Sequence, residues 1–264
     1  MTAPVTRSAH QVPVAVTRAV ADASARTGIG FEYLMDKARL ESGFRADAKA
    51  TTSSAQGLYQ FTASTWLGTV KQHGPDHGLG WAASIIQPNG RGGWTIPDPG
   101  QRAAILQLRN DPDWAALMAA EHASDNRDEI RSATGREPAD VDLYLAHFLG
   151  ASGAIKFLDS WSANPSSTAA TLFPEAASAN RSIFYSSSGS ARSFDEIRNN
   201  FARKLGQSNG YGQGSSGLSN RANTSILNRR PLEMQEISPM PKGLSLELAR
   251  DAYRRLASTS EMNS

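Results

Sequence analysis

From Val14 to Leu205 apolar side chains recur with a helical period, and the alternation expected of strands is nearly absent. Val16, Val20 and Ala23 share one face of a segment that Gly28 ends. The next segment, FEYLMDKARLES, carries Phe31, Leu34, Met35 and Ala38 at i, i+3, i+4 and i+7. FTASTWLGTVKQHG predicts a third helix, capped by Thr62 or Ser64 and stopped at Gly74. PGQRAAILQLRN and DPDWAALMAAEHASDNRDEIRSATG predict two more, the second with Asp111 as N-cap and Pro112 as its first residue. PADVDLYLAHFLGASGAIKFLDSW holds another helix with a break at Gly150 to Gly153, and SFDEIRNNFARKLG closes the series under a Ser193 cap. IIQPNGRGGWTIPDPG, rich in Gly and Pro, predicts a surface loop.

The pattern stops at Gly206. GQSNGYGQGSSGLSNRANTS cannot bury a core and predicts a flexible linker. Beyond it, Leu244, Leu248, Ala252 and Leu256 form a narrow stripe on one more helix. A free helix of that length is marginal, so it either docks on the domain or binds another molecule. The expected division is a mainly α domain over 1–205 with its core in 31–205, a linker over 206–242, and a C-terminal helix and tail over 243–264.

Composition narrows the function classes. Against 25 acidic residues stand 27 Lys and Arg, a net charge of +2, which gives little support for nucleic acid as the main partner. The absence of cysteine removes disulfides, thiolate catalysis and Cys-ligated metal. MTAPVTRSAHQVPVAVTRAV lacks the continuous apolar run of a secretory signal, and no stretch reads as an integral membrane segment. His73 and His77 stand at metal-ligand spacing, but Gly74 and Pro75 between them break the helix which that spacing requires, so no metal site is expected. A nucleophilic serine has no Gly-x-Ser-x-Gly elbow to sit on.

One side chain stands out against the apolar pattern. Extending the stripe Phe31, Leu34, Met35, Ala38 by register reaches Glu41 and Ser42, while Asp36, Lys37 and Arg39 fall on other faces. Glu41 is also in the last turn, because Gly43 is a natural residue to follow a helix end. Burial penalises its carboxylate, and the negative end of the helix dipole does the same. Both effects predict a carboxyl held protonated near neutral pH, the state a general acid needs. The bland alternative is a helix-terminal Glu paired with Arg39 or Arg45.

ARLESGF followed by AQGLYQF resembles the lytic transglycosylases of the soluble SLT type, whose domain is similar to goose-type lysozyme. Glu41-Ser42 matches the Glu-Ser pair that ends a helix in that family, and Gly57, Leu58, Tyr59, Gln60 and Phe61 match its Gly-Leu-Met-Gln-like turn. AAEHASDN, ending at Asn126, is similar to a third element, and AHFLG stands where the family has Ala-Tyr-Asn-Ala-Gly. Here His147 takes the place of the tyrosine, so the hydroxyl expected near the acid comes either from Tyr144, one turn earlier, or is replaced by His147. The resemblance covers roughly Phe31 to Leu205 and implies a lysozyme-like helical domain with a small irregular or short-β lobe.

The same resemblance implies the chemistry. The substrate is the peptidoglycan glycan strand at the MurNAc–GlcNAc bond, in the periplasm or cell envelope of a bacterium. Glu41 is the single acid and base, the product carries a 1,6-anhydro end, and no cofactor or metal takes part. Most glycosidases flank the bond with two carboxylates; Asp47, the nearest second candidate, lies in a polar loop. Ser42, Gly57, Tyr59, Gln60, Phe61 and Asn126, with Tyr144 and His147, are the expected substrate-binding set. Each also has a plainer role: Ser42 a helix-terminal bond, Gln60 a turn-closing bond, Tyr59 and Phe61 core packing, and Asn126 a helix surface. Two other functions stay open, a hydrolysing muramidase on the same fold and a glycan-binding or assembly module without activity. The linker and C-terminal helix suit attachment to an envelope-spanning machine such as a flagellum, pilus or secretion system.

Overall fold

A computed structural model describes residues 12–51 and 53–206. The expected linker and C-terminal helix therefore lie outside the described residues. Among those described, the chain is mainly helical, with twelve α-helices and one two-stranded sheet. None of these helices is long and apolar enough to cross a membrane.

Helix α1 (Val14–Thr27) ends on Gly28 in the left-handed region, and α2 (Phe31–Ser42) ends on Gly43 in the same way. A residue without Cβ enters that region at little cost, so both helices stop where glycine stands. α3 (Ala63–His73) is capped by Thr62, whose hydroxyl accepts from the Thr65 N–H. The α-helix ends at Gly74, where the sequence pattern predicts its stop. Gly74 stays helical and the chain runs on as a 3-10 turn, Gly74–His77, closed by Gly78 at φ 83°. Proline is tolerated there because a first-turn residue has no N–H bond to lose.

Helix α4 (Gly80–Ile85) leads into a hairpin of β1 (Gln87–Pro88) and β2 (Trp94–Thr95), where the sequence pattern predicts only a loop. α5 (Pro99–Gln107) and the long α6 (Pro112–Thr134) start on Asp98 and Asp111, each accepting backbone N–H bonds. α7 (Asp140–Leu149) and α8 (Ala151–Ala163) are separated by Gly150 alone, and Gly153 is inside α8. Three short helices follow, α9 (Ala169–Leu172), α10 (Pro174–Ala179) and α11 (Arg181–Phe184), all too short to show a period. α12 (Phe194–Leu205) opens with a Ser193–Glu196 capping box.

Helix α1 lies along α6, while α7 packs on α8 and α12, and α2 touches α1, α6 and α12. The core is continuous through these contacts, with Leu34, Met35, Leu58, Trp66, Met118 and Leu145 all fully buried. Each such side chain contributes about 1.5–3 kcal/mol by leaving water. The result is that α2 is enclosed from several sides, and Asp36 and Lys37 are buried along with Met35. They stand on other faces than the apolar stripe, and those faces are buried too, because α2 has neighbours beyond its stripe.

Candidate active site

The chain after α2 returns at once to support it. Gly57 N donates to Ala48 O at 2.8 Å and Gln56 N to Phe61 O at 3.1 Å, with isolated bridges from Gln56 to Lys49 and Phe61. These form a small β-like lobe ending in the turn Gly57–Gln60. Gly57 sits at φ 85°, and a Cβ there would lie 1.9 Å from the Arg109 carbonyl oxygen. Gln60 holds φ 48°, which a side chain makes costly, and its amide donates to Gly57 O and Ala48 O at 2.9 and 3.0 Å.

Arg109 locks this turn from the other side. Its buried guanidinium donates to Leu106 O, Ser54 O, Phe61 O and the Gln56 side chain at 2.7–3.0 Å. Desolvation brings its pKa down to about 10. No motif singles Arg109 out; it stands in a short helical stretch, and only its burial shows what it does.

The turn grips the end of α2. The Ser42 hydroxyl lies 3.0 Å from Ala38 O and 2.8 Å from Leu58 O, tying the last helical turn to the turn beneath it. Tyr59 is buried, and its hydroxyl donates to Leu34 O at 3.2 Å. Phe61 packs edge-on against Trp66 at 5.3 Å. For Ser42, Tyr59, Gln60 and Phe61 the structure therefore shows the supporting role of the two that the sequence leaves open. Ser53 and Ser54 serve the loop, their hydroxyls accepting from Ala55 N and Ala63 N, and Asp47 is exposed.

Glu41 is held on top of this support, its side chain 15% exposed. His147 Nε2 lies 2.9 Å from Glu41 Oε1, and the Tyr144 hydroxyl also donates to the carboxyl. Helix α7 thus brings both candidates to the acid, where the sequence offers one or the other. Arg39 pairs instead with Asp36 at 3.3 Å, and Arg45 donates to the Ser42 carbonyl at 3.2 Å.

The expected rise in the Glu41 pKa is overturned. Burial does push it upward, but His147, Lys37 and the Tyr144 hydroxyl together outweigh burial and hold it below the ordinary carboxylate value. His147 is also pushed down, by burial first and by Lys37 second, against the pull of Glu41. The resting pair is a carboxylate and a neutral imidazole whose Nε2–H donates to it. His147 Nδ1 is buried and has no hydrogen-bond partner among the described residues. Protonating it would bury an unmet donor, which costs about 1–3 kcal/mol.

Asn126 is placed elsewhere. It lines a cavity of about 730 Å³ between α3, α6, α7 and the start of α8, walled by Thr65, Trp94, Asp125, Ala146 and Ser152 among others. Of the residues expected to bind substrate, Asn126 alone is in that wall; Ala146 brings α7 to it one residue before His147. A Cβ on Gly68 would come within 3.2 Å of the Trp94 ring, so that glycine lets the indole lie close on α3.

The two histidines read as a metal spacing meet a different fate. His73 ends α3 and His77 stands in the 3-10 turn after it, and both reach α6: His77 Nε2 lies 2.5 Å from Glu121 Oε1, and His73 Nε2 lies 2.9 Å from Asp125 Oδ2. The α-helix does break between them, His77 standing in the 3-10 turn. Among the described residues no group of three or more His, Cys, Asp or Glu is arranged to hold an ion. No protein-family model matches the chain.

Proposed function

We propose that this protein is a peptidoglycan lytic transglycosylase with a lysozyme-like domain, acting through Glu41 in the bacterial envelope. The observation that carries the reading is the Glu41 carboxyl itself: enclosed but not sealed, at a helix end, and bonded by both His147 and Tyr144 from α7. The sequence resemblance supplies the substrate; the cavity with an indole wall lies beside Asn126, and Glu41 is not among its lining residues.

In this scheme Glu41, loaded with one proton, gives it to the leaving glycosidic oxygen as the C–O bond breaks. The acetamido oxygen of the muramic residue stabilises the oxocarbenium-like carbon. Glu41, again a carboxylate, takes the proton of the muramic 6-hydroxyl while that oxygen bonds to the anomeric carbon. One proton leaves and one returns, and no water is consumed. His147 donates to the same carboxyl throughout, the part the resemblance assigns to a tyrosine hydroxyl.

Product analysis tests the reading. Purified wall treated with wild type should yield 1,6-anhydro ends by mass spectrometry, and Glu41→Gln should yield none. Reducing ends in their place would make the protein a hydrolysing muramidase. Equal wall clearing by Glu41→Gln would exclude Glu41 chemistry.

A further inference from the structure

We propose that Lys37 is a positioning residue that keeps the charge of the site on Glu41 rather than on His147, so that the loading of a single proton onto Glu41 arms the site. This rests on the reading of Glu41 as the acid and base of glycan cleavage.

Lys37 stands one turn before Glu41 on α2, a spacing that makes the two side chains neighbours. It is 2% exposed. Among the described residues it forms no ion pair within 4.0 Å, and its ammonium instead lies 5.9 Å from the centre of the Tyr59 ring. Burying an ammonium costs several kcal/mol unless a partner compensates, so an unpaired one is a stability defect that needs a reason.

The surroundings give the reason. From α2, Tyr33, Arg39 and Lys37 face the carboxyl region; from α7, Asp140, Tyr144 and His147 do. Tyr33 and Tyr144 are pushed up by burial and stay neutral, and Asp140 is pushed up as well. Arg39 is engaged by Asp36 and the Lys204 carbonyl. Lys37 therefore acts on both members of the pair. It favours the Glu41 anion and disfavours the His147 cation. Burial brings Lys37 itself down to about 8, so it is still charged at neutral pH.

Carbon and nitrogen NMR titrations of the Glu41 carboxyl and His147 ring, in wild type, Lys37→Met and Lys37→Arg, test this without any substrate. The expected result is an upward move of both midpoints in Lys37→Met, at a melting temperature unchanged or higher, and near-wild-type midpoints in Lys37→Arg. In wall clearing, Lys37→Met should keep roughly threefold more activity than wild type on the alkaline limb, because more Glu41 is protonated there. Midpoints unchanged in a folded Lys37→Met would overturn the proposal. Should that variant not fold, wild type decides: loss of the Lys37 proton should put a second inflection near pH 8 into both signals, and its absence overturns the role. Midpoints that move in a protein without wall-clearing activity would sustain the Lys37 role and sink the transglycosylase reading instead.

Discussion

Two histidine–carboxylate clusters lie in this helical domain, and they are built on opposite rules. In the one between α3 and α6, partners face every ring nitrogen: His73 lies 3.5 Å from Glu121 and 2.9 Å from Asp125, and His77 lies 2.5 Å from Glu121. Arg26 donates to His77 Nδ1 at 2.6 Å, which fixes that ring as the Nε2–H form. In the cluster at the end of α2, among the described residues, His147 has one ring nitrogen with a partner and one without, and a buried lysine forms no ion pair within 4.0 Å. The first arrangement spends its polar groups on one another and so stabilises the fold. The second leaves polar capacity unspent at a partly open carboxyl, which costs stability and suits a site that handles protons.

Substitution at the two carboxylates should give the sharpest separation. Glu41→Gln is expected to lower wall clearing by about 10²–10⁴-fold while leaving the melting temperature unchanged or higher, since it relieves a buried charge. Glu121→Ala should do the reverse, costing about 1–3 kcal/mol in denaturant unfolding with clearing activity of the folded fraction retained. If both variants lost activity at equal stability, the contrast would be void.

Gly57→Ala attacks the support rather than either cluster. A Cβ 1.9 Å from the Arg109 carbonyl, at φ 85°, forces the turn away from Ser42 and the end of α2. The expected loss is about 3 kcal/mol, read by chemical unfolding, with activity falling in step with the folded fraction and beyond it.

Smaller effects sharpen the electrostatics. His147→Ala removes the largest influence that opposes burial at Glu41, so the Glu41 pKa should rise. An acid form that persists to higher pH moves the alkaline limb of the pH–activity profile upward, even as the maximum falls for want of the Nε2–H donor. Removing the hydroxyl in Tyr144→Phe should move the same limb in the same direction by less, with a few-fold change in rate, because its bond is the weakest of the influences holding Glu41 down. A downward move in either variant would contradict the charge assignment.

Much of the helical skeleton was readable along the chain. The ends of α1, α2 and α6 fall where Gly28, Gly43 and Gly135 stand, and Asp111 and Ser193 cap as their side chains allow. α9, α10 and α11 were not readable, since four to six residues cannot display a helical period. At the site, register put Glu41 on the enclosed side, but Lys37 and Arg109 were invisible, being charged residues whose burial depends on distant neighbours.

The local sequence determined where α2 ends and that a carboxyl stands in its last turn, because register and a terminal glycine are short-range properties. Only the tertiary structure decided the charge state of that carboxyl. Its proton affinity is set by burial against the combined pull of His147, Lys37 and Tyr144, and two of those three arrive on α7, about a hundred residues away in the chain.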